Sequence, residues 1–268
     1  MVNFLATGNL VSPTGLDLQQ AAGFTIVAEK LNWYRYISHF RCVHRGAFFA
    51  ELKTTTVRKL LPESWGFICP VHTPDGSPCG LLNHLSHSCR IITNPIKAAH
   101  LPTILGSLGM TQAFAPSVDG SKSLCVQLDG KVVGWATPSL AKHLATTLRI
   151  LKTEGRENVP LDLEIGFVPV SQGGQYPGLY LFTSRARMMR PARYLPNGRD
   201  DSIGSFEQVY MDIAIKPEEI DPTITTHLEL APTNFLSILA NLTPFSDFNQ
   251  VSMSSQDMHV SDSWKVTS

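Results

Sequence analysis

Leucines recur at 140, 144, 148 and 151, a spacing of four, four and three that lines one side of a 3.6-residue helix. Thr137 can cap its start, Pro138 suits the first helical position, and Gly155 supplies a stop. Just upstream the period changes. Leu124-Cys125-Val126-Gln127-Leu128 and Val132-Val133-Gly134-Trp135 flank Asp129-Gly130-Lys131, which predicts two strands joined by a hairpin. Stretches 161–170 and 179–183 read as further strands around a Gly173-Gly174 loop, and 233–242 has a helical apolar pattern ended by Thr243-Pro244. Between 60 and 93 the density of Pro and Gly predicts irregular, tightly turned chain, while 1–59 mixes apolar runs with turns such as Ser12-Pro13-Thr14-Gly15. No internal repeat is present. The pattern is mixed α/β (α+β), with 94–230 as a small α/β unit.

Composition adds a setting. At 268 residues the chain has room for one large domain or two ordinary ones. Only 16% of residues are charged while 43% are hydrophobic, so part of the surface is expected to be covered by something else, as in a larger assembly. The N-terminus has no basic segment followed by an unbroken apolar stretch, and no run approaches the ~20 apolar residues of a membrane span. Secretion and membrane insertion are therefore not expected. Five scattered cysteines, an odd number, suit reduced thiols in an intracellular compartment. After Gln250 the chain turns serine-rich and loses its aliphatic residues, so 251–268 is expected to be a disordered tail.

Zero net charge conceals segregation. Arg35, Arg41, Arg45, Lys53, Arg58 and Lys59 stand against Glu51 alone, interleaved with Trp33, Tyr34, Tyr36, Phe40, Phe48 and Phe49. Basic residues among aromatics can follow phosphates, which makes nucleic acid a candidate partner, although core packing is the simpler role for the aromatics. A solvated charged face is the plain alternative. Arg185, Arg187, Arg190, Arg193 and Arg199 form a second cluster, read as structural ion pairs with the acidic stretch from Glu207 to Asp221.

The densest chemistry lies in SWGFICPVHTPDGSPCGLLNHLS, residues 64–86. Cys69, Cys79 and Cys89 are too far apart for the close C-x₂₋₄-C pairs of a structural zinc site, so a metal would need long-range pairing. Cys69 with His72 is a weak nucleophile–base pair, because Pro70 and Pro74 constrain the path between them. His72-Thr73-Pro74-Asp75-Gly76 instead has the makings of rigid turns. The local chemistry points to shape, carried by Trp65, Gly66, Pro70, Thr73, Pro74, Gly76 and Gly80.

This segment, from Trp65-Gly66-Phe67-Ile68-Cys69-Pro70 through Thr73-Pro74-Asp75-Gly76 to Gly80-Leu81-Leu82-Asn83-His84-Leu85-Ser86, resembles the fork motif of the second-largest subunit of multisubunit DNA-directed RNA polymerases. It departs at His72 and Asp75, where that family usually has Glu. Ala6-Thr7-Gly8-Asn9 and the run from Leu31 to Arg41 are similar to the start of the same region, and Gly204-Ser205-Phe206-Glu207-Gln208-Val209-Tyr210-Met211 resembles the RNA polymerase I branch. The resemblance implies a fork region at 1–93, with loops at 12–27 and 44–56, and an external α/β domain at 94–230. It also implies the entry to a hybrid-binding domain at 231–250. Arg41, Arg45, Lys53, Arg58 and Lys59 would then neutralise phosphates near strand separation. The implied partners are the largest subunit, small assembly subunits, the DNA template and the RNA–DNA hybrid, with no membrane. The implied location is the nucleus and nucleolus.

No Asp-x-Asp-x-Asp cluster occurs, and Asp200-Asp201 reads as a solvated pair in a Pro/Gly-flanked turn. The resemblance puts catalytic magnesium on the largest subunit, with no cofactor on this chain. It also implies a fragment, or an alternatively ended form, that lacks the groups holding substrate triphosphates and is inactive alone. Two readings compete with a polymerase role: a non-catalytic interaction module, and a self-sufficient Cys/His hydrolase, for which no base–orienter pair or oxyanion motif accompanies Cys69.

Overall fold

The computed structural model describes residues 2–10, 22–113, 123–171 and 176–244. The turn at Ser12, the Gly173-Gly174 loop, most of the 12–27 loop and the 251–268 tail lie outside them. The chain divides into two compact units, residues 1–87 with 233–268, and residues 88–232.

In the first unit, α1 (Val2–Thr7) precedes α2 (Trp33–Phe40), whose start is capped by Asn32: its Oδ1 accepts the Arg35 amide at 2.8 Å. β1 (Cys42–His44) pairs antiparallel with β2 (Leu82–His84), with Cys42 opposite His84. Between them lie the single turn α3 (Phe48–Glu51), two 3₁₀ turns and the Pro/Gly-rich segment. Phe67, Cys69, Leu81 and Leu85 form its buried centre. The apolar pattern at 233–242 predicts a longer helix than is found. Ser237 takes the cap position, accepting the Ala240 amide at 3.3 Å, so the helix is Ile238–Leu242 and 233–236 is a turn.

The second unit is built on two sheets. β3 is Arg90–Ile91, α4 Leu101–Ser107, β4 Thr111–Gln112, β5 Leu124–Leu128 and β6 Lys131–Ala136. Then follow α5 (Pro138–Glu154), β7 (Glu164–Val168), β8 (Gly178–Phe182), β9 (Met188–Tyr194), β10 (Arg199–Gly204), α6 (Ser205–Gln208), β11 (Ile213–Ala214) and β12 (His227–Leu228). One sheet runs β4-β6-β5-β8-β7, antiparallel except where β5 and β8 pair in parallel. The other runs β10-β9-β12-β11, with β3 also on β9. Through β3, and through Ile92, whose amide donates to the Arg187 carbonyl, residues 88–92 pack with this unit, ahead of the expected start at 94.

The hairpin is a two-residue turn with φ of 49° at Asp129 and 81° at Gly130, the doubly positive geometry that such loops favour. Asp129 also holds the end of β8, its carboxylate accepting the Thr183 amide at 2.7 Å and hydroxyl at 2.5 Å. The predicted helix is present from cap to stop, with Thr137 Oγ1 accepting the Leu140 amide and Gly155 at φ 70°. Its Ala141, Leu144, Ala145 and Leu148 close over Leu124, Val126, Ile165, Leu179 and Leu181. β7 is shorter than 161–170 because Leu163 closes a turn on Pro160 before the strand begins.

Candidate nucleic-acid interface

The Ser64–His87 segment is held by side chains bonded to backbone. Thr73 Oγ1 donates to the Leu82 carbonyl at 2.8 Å and accepts the Gly80 amide at 3.0 Å, which closes the loop between them. Arg58 grips that loop from outside, its Nη1 donating to the carbonyls of Ser77 and Cys79, both at 2.7 Å. Gly80 lies directly beneath, at φ 72°, where a Cβ would stand 2.5 Å from the Arg58 carbonyl oxygen. Gly66 and Gly76 also have positive φ, and Pro70 and Pro74 are half-buried in the same run. Trp65 stacks on Phe235 with ring centroids 4.4 Å apart and planes 15° apart. Cys69 is buried, with its amide bonded to the His84 carbonyl at 2.9 Å.

The five basic candidates divide by what their side chains hold. Arg41 donates through Nη2 to the carbonyls of Ser86 at 2.7 Å and His87 at 3.2 Å, and Arg58 grips the loop as described. Both guanidinium groups are spent on the scaffold. Arg45, Lys53 and Lys59 are exposed, so a polyanion could reach them without breaking structure.

The expectation of a core role for the aromatics is corrected for three of them. Trp33 is 66% exposed, Tyr34 51% and Phe40 69%. Trp33, Ile37 and Phe40 lie on one side of α2, and in the described residues this side is open. Lys30 sits over the Trp33 ring, 4.5 Å from its centre.

The second unit corrects two further expectations. Asp201 is not a solvated turn residue: the turn is spent at 195–198, β10 begins at Arg199, and strand alternation sends Asp201 inward. There it is 1% exposed and receives Lys152 Nζ at 2.8 Å, Arg149 Nη1 at 2.7 Å and His227 Nε2 at 3.3 Å. Asp200 points out and pairs with Arg193 at 3.3 Å. The arginine run does form structural ion pairs, but mostly with other acids. Arg187 meets Glu164 at 3.4 Å, and Arg190 meets Glu229 at 2.7 Å with Gln208 also at 2.7 Å. Glu207 goes to Arg149, at 2.8 Å.

Burial by itself would raise the Asp201 carboxyl, but the Lys152 ammonium, the His227 hydrogen bond and the Arg149 guanidinium hold it well below the usual carboxylate range. Arg149 is the converse: burial opposes its charge, while Glu207 and Asp201 keep it raised. Burial, then the nearby Glu207, raise Glu164, and burial lowers His227. Sequence reasoning missed Arg149 and Lys152. Lys152 falls four residues after Leu148, on the apolar stripe itself, and a cation on a buried stripe is a signal of a buried acid elsewhere.

Among the described residues no group of three or more His, Cys, Asp or Glu is placed to hold a metal ion, and no helix is long and apolar enough to cross a membrane.

Known proteins give this arrangement its class. The family model described as RNA polymerase Rpb2, domain 3, matches residues 26–91, the first unit's scaffold and basic run. The one described as RNA polymerase I, Rpa2 specific domain, matches 133–190, which includes α5 and its buried cations. The chain is 64% identical over 248 residues to the DNA-directed RNA polymerase I subunit RPA2 of Eremothecium gossypii, covering 92% of the chain and 21% of that protein. It is 62% identical to the subunit RPA135 of Saccharomyces cerevisiae over 93% of the chain and 21% of that protein. With human RPA2 the identity is 49%, over 91% of the chain and 22% of that protein. The chain belongs to the family of second-largest subunits of DNA-directed RNA polymerase, in its RNA polymerase I branch. It spans about a fifth of the length of these relatives.

Proposed function

We propose that this chain supplies the fork region of RNA polymerase I. Arg45, Lys53 and Lys59 face phosphates of the RNA–DNA hybrid and downstream DNA during ribosomal RNA synthesis, while Arg41 and Arg58 brace the scaffold behind them. The observation that carries the reading is this division of labour: along residues 41–59, three cations are exposed and the other two are committed to backbone carbonyls. Contacts of that kind give affinity without reading sequence. In this reading the chain works in the nucleus and nucleolus, with the largest subunit and the small assembly subunits as partners. It contributes to nucleotidyl transfer only within the assembly, where the largest subunit holds the magnesium, and has no catalytic activity alone.

A second reading rests on a different observation. Val2, Leu5, Phe24, Ile26, Val27, Leu31, Trp33 and Phe40 are all exposed, apolar groups of the kind that a protein partner covers. The chain would then act as a non-catalytic module that binds polymerase partners or competes with a full-length subunit. An N-terminally tagged chain purified from nuclear extract tests both. Recovery of the largest subunit and the small subunits, with salt-sensitive binding to a hybrid scaffold, supports the fork reading. Recovery of those subunits without hybrid binding supports the module, and recovery of chaperones alone overturns both.

A further inference from the structure

Residues 235–237 are fastened to the Ser64–His87 scaffold by four contacts. Phe235 stacks on Trp65, and its carbonyl accepts the Ser86 hydroxyl at 3.0 Å; the Leu236 carbonyl accepts the His87 amide at 2.7 Å. The fourth joins His72 Nδ1 to Ser237 Oγ at 2.7 Å. Ser237 Oγ also accepts the Ala240 amide, and its proton and second lone pair let it meet Nδ1 of a neutral His72 in either direction. The His72 ring lies flat on His84, with centroids 3.5 Å apart and planes 5° apart. His84 is 5% exposed, and its Nδ1 is buried without a hydrogen bond.

The surroundings of the pair are unsuited to positive charge. Burial lowers His72 to about 4, with the Arg35 charge acting in the same sense. Burial, then His72, Arg35 and His39, lower His84 to about 4 as well, against a hydrogen bond to the Ser38 backbone. Arg35, Ser38 and His39 all come from α2, where Arg35 also pairs with Glu29 at 3.2 Å, and Cys42 stands opposite His84 on β1. Two rings stacked this closely cannot both carry charge at modest cost. We propose that the stacked, uncharged His72 and His84 form a latch that keeps residues 235–242 on the scaffold, closed at neutral pH and opened by protonation. A proton on either ring puts a cation against the other ring and beside Arg35.

The sign follows from linkage. Both groups lie below the ordinary histidine value of about 6.5, so their contribution is complete above that pH. It is lost as pH falls from about 6.5 to about 4. The latch is independent of nucleic-acid binding, and the whole 268-residue chain is its test. Imidazole NMR signals and backbone hydrogen exchange would be followed from pH 7.5 to 4. The rings should titrate far below free histidine while the protection factors across 235–242, taken relative to the intrinsic exchange rate at each pH, fall by about tenfold per pH unit for each ring that titrates. The double variant His72→Gln/His84→Phe, which keeps a partner for Ser237 and an uncharged ring, should make those protection factors insensitive to pH. Rings that titrate near 6.5, or an equal acid response in the variant, would overturn the latch. If the variant does not fold, the order of opening in the unmodified chain decides: 235–242 opening at higher pH than β5–β8 supports the latch, and simultaneous opening overturns it.

Discussion

Gly80 and Gly76 lie in one loop and share a positive φ, yet they should respond differently to a side chain. A Cβ at Gly76 meets nothing within 4 Å, whereas at Gly80 it meets the Arg58 carbonyl at 2.5 Å and the Arg58 Cβ at 2.9 Å. Gly76→Ala then carries only the backbone cost of a left-handed residue, about 1 kcal/mol. Gly80→Val adds a collision with main chain and should cost about 3 kcal/mol. Cys69→Ser, which exchanges one small buried group for another, should cost about 1 kcal/mol. Urea unfolding of the three variants gives the ranking. If Cys69→Ser proved the most damaging, shape would no longer account for the segment. The identities of Gly, Pro and Thr state a backbone requirement directly, so the turned course of this segment was legible in the sequence. Their partner was not visible, since nothing in the local pattern of Arg58 says that it grips carbonyls about twenty positions onward.

At the scale of elements, α5 combines two kinds of burial. Its first turns bury Ala141, Leu144 and Leu148; its last turns bury Arg149 and Lys152 against Asp201 and Glu207. Loss of the Thr137 cap in Thr137→Ala should cost about 1 kcal/mol. Asp201→Asn should cost more, about 3–5 kcal/mol, because it leaves the buried Lys152 without its acid. Lys152→Met should fall between them, since Asp201 keeps Arg149 and His227. Thermal unfolding at neutral pH checks that order, and a mild Asp201→Asn would mean that the cations escape to water. The helix and the β5–β6 hairpin were legible because period, cap and turn are local. The second sheet was not, because β9 pairs with β3 and β12 across long separations, and because Asp201, which reads as solvated, meets Arg149 and Lys152 only through α5, about fifty positions earlier in the chain. The 233–242 segment was half legible: its apolar period was clear, and the serine that starts the helix late was overlooked.

For the molecule as a whole, the exposed cations and the bracing cations make separable predictions. Each phosphate contact with duplex-like nucleic acid contributes about 0.9 to the slope of log affinity against log salt. Lys53→Ala/Lys59→Ala should therefore flatten that slope on an RNA–DNA hybrid by nearly two units and leave the urea midpoint unchanged, since neither side chain supports the fold in the described residues. Arg58→Ala should do the reverse, lowering stability through the freed Ser77 and Cys79 carbonyls, with any loss of binding following from a disordered loop. The sequence grouped all five basic residues as equals because charge and spacing are blind to what a guanidinium holds. Measuring slope and stability on the same two proteins separates the classes. A flattened slope for Arg58→Ala at full stability would return Arg58 to the phosphates, and an unchanged slope for the lysine pair would leave the basic run as a solvated face.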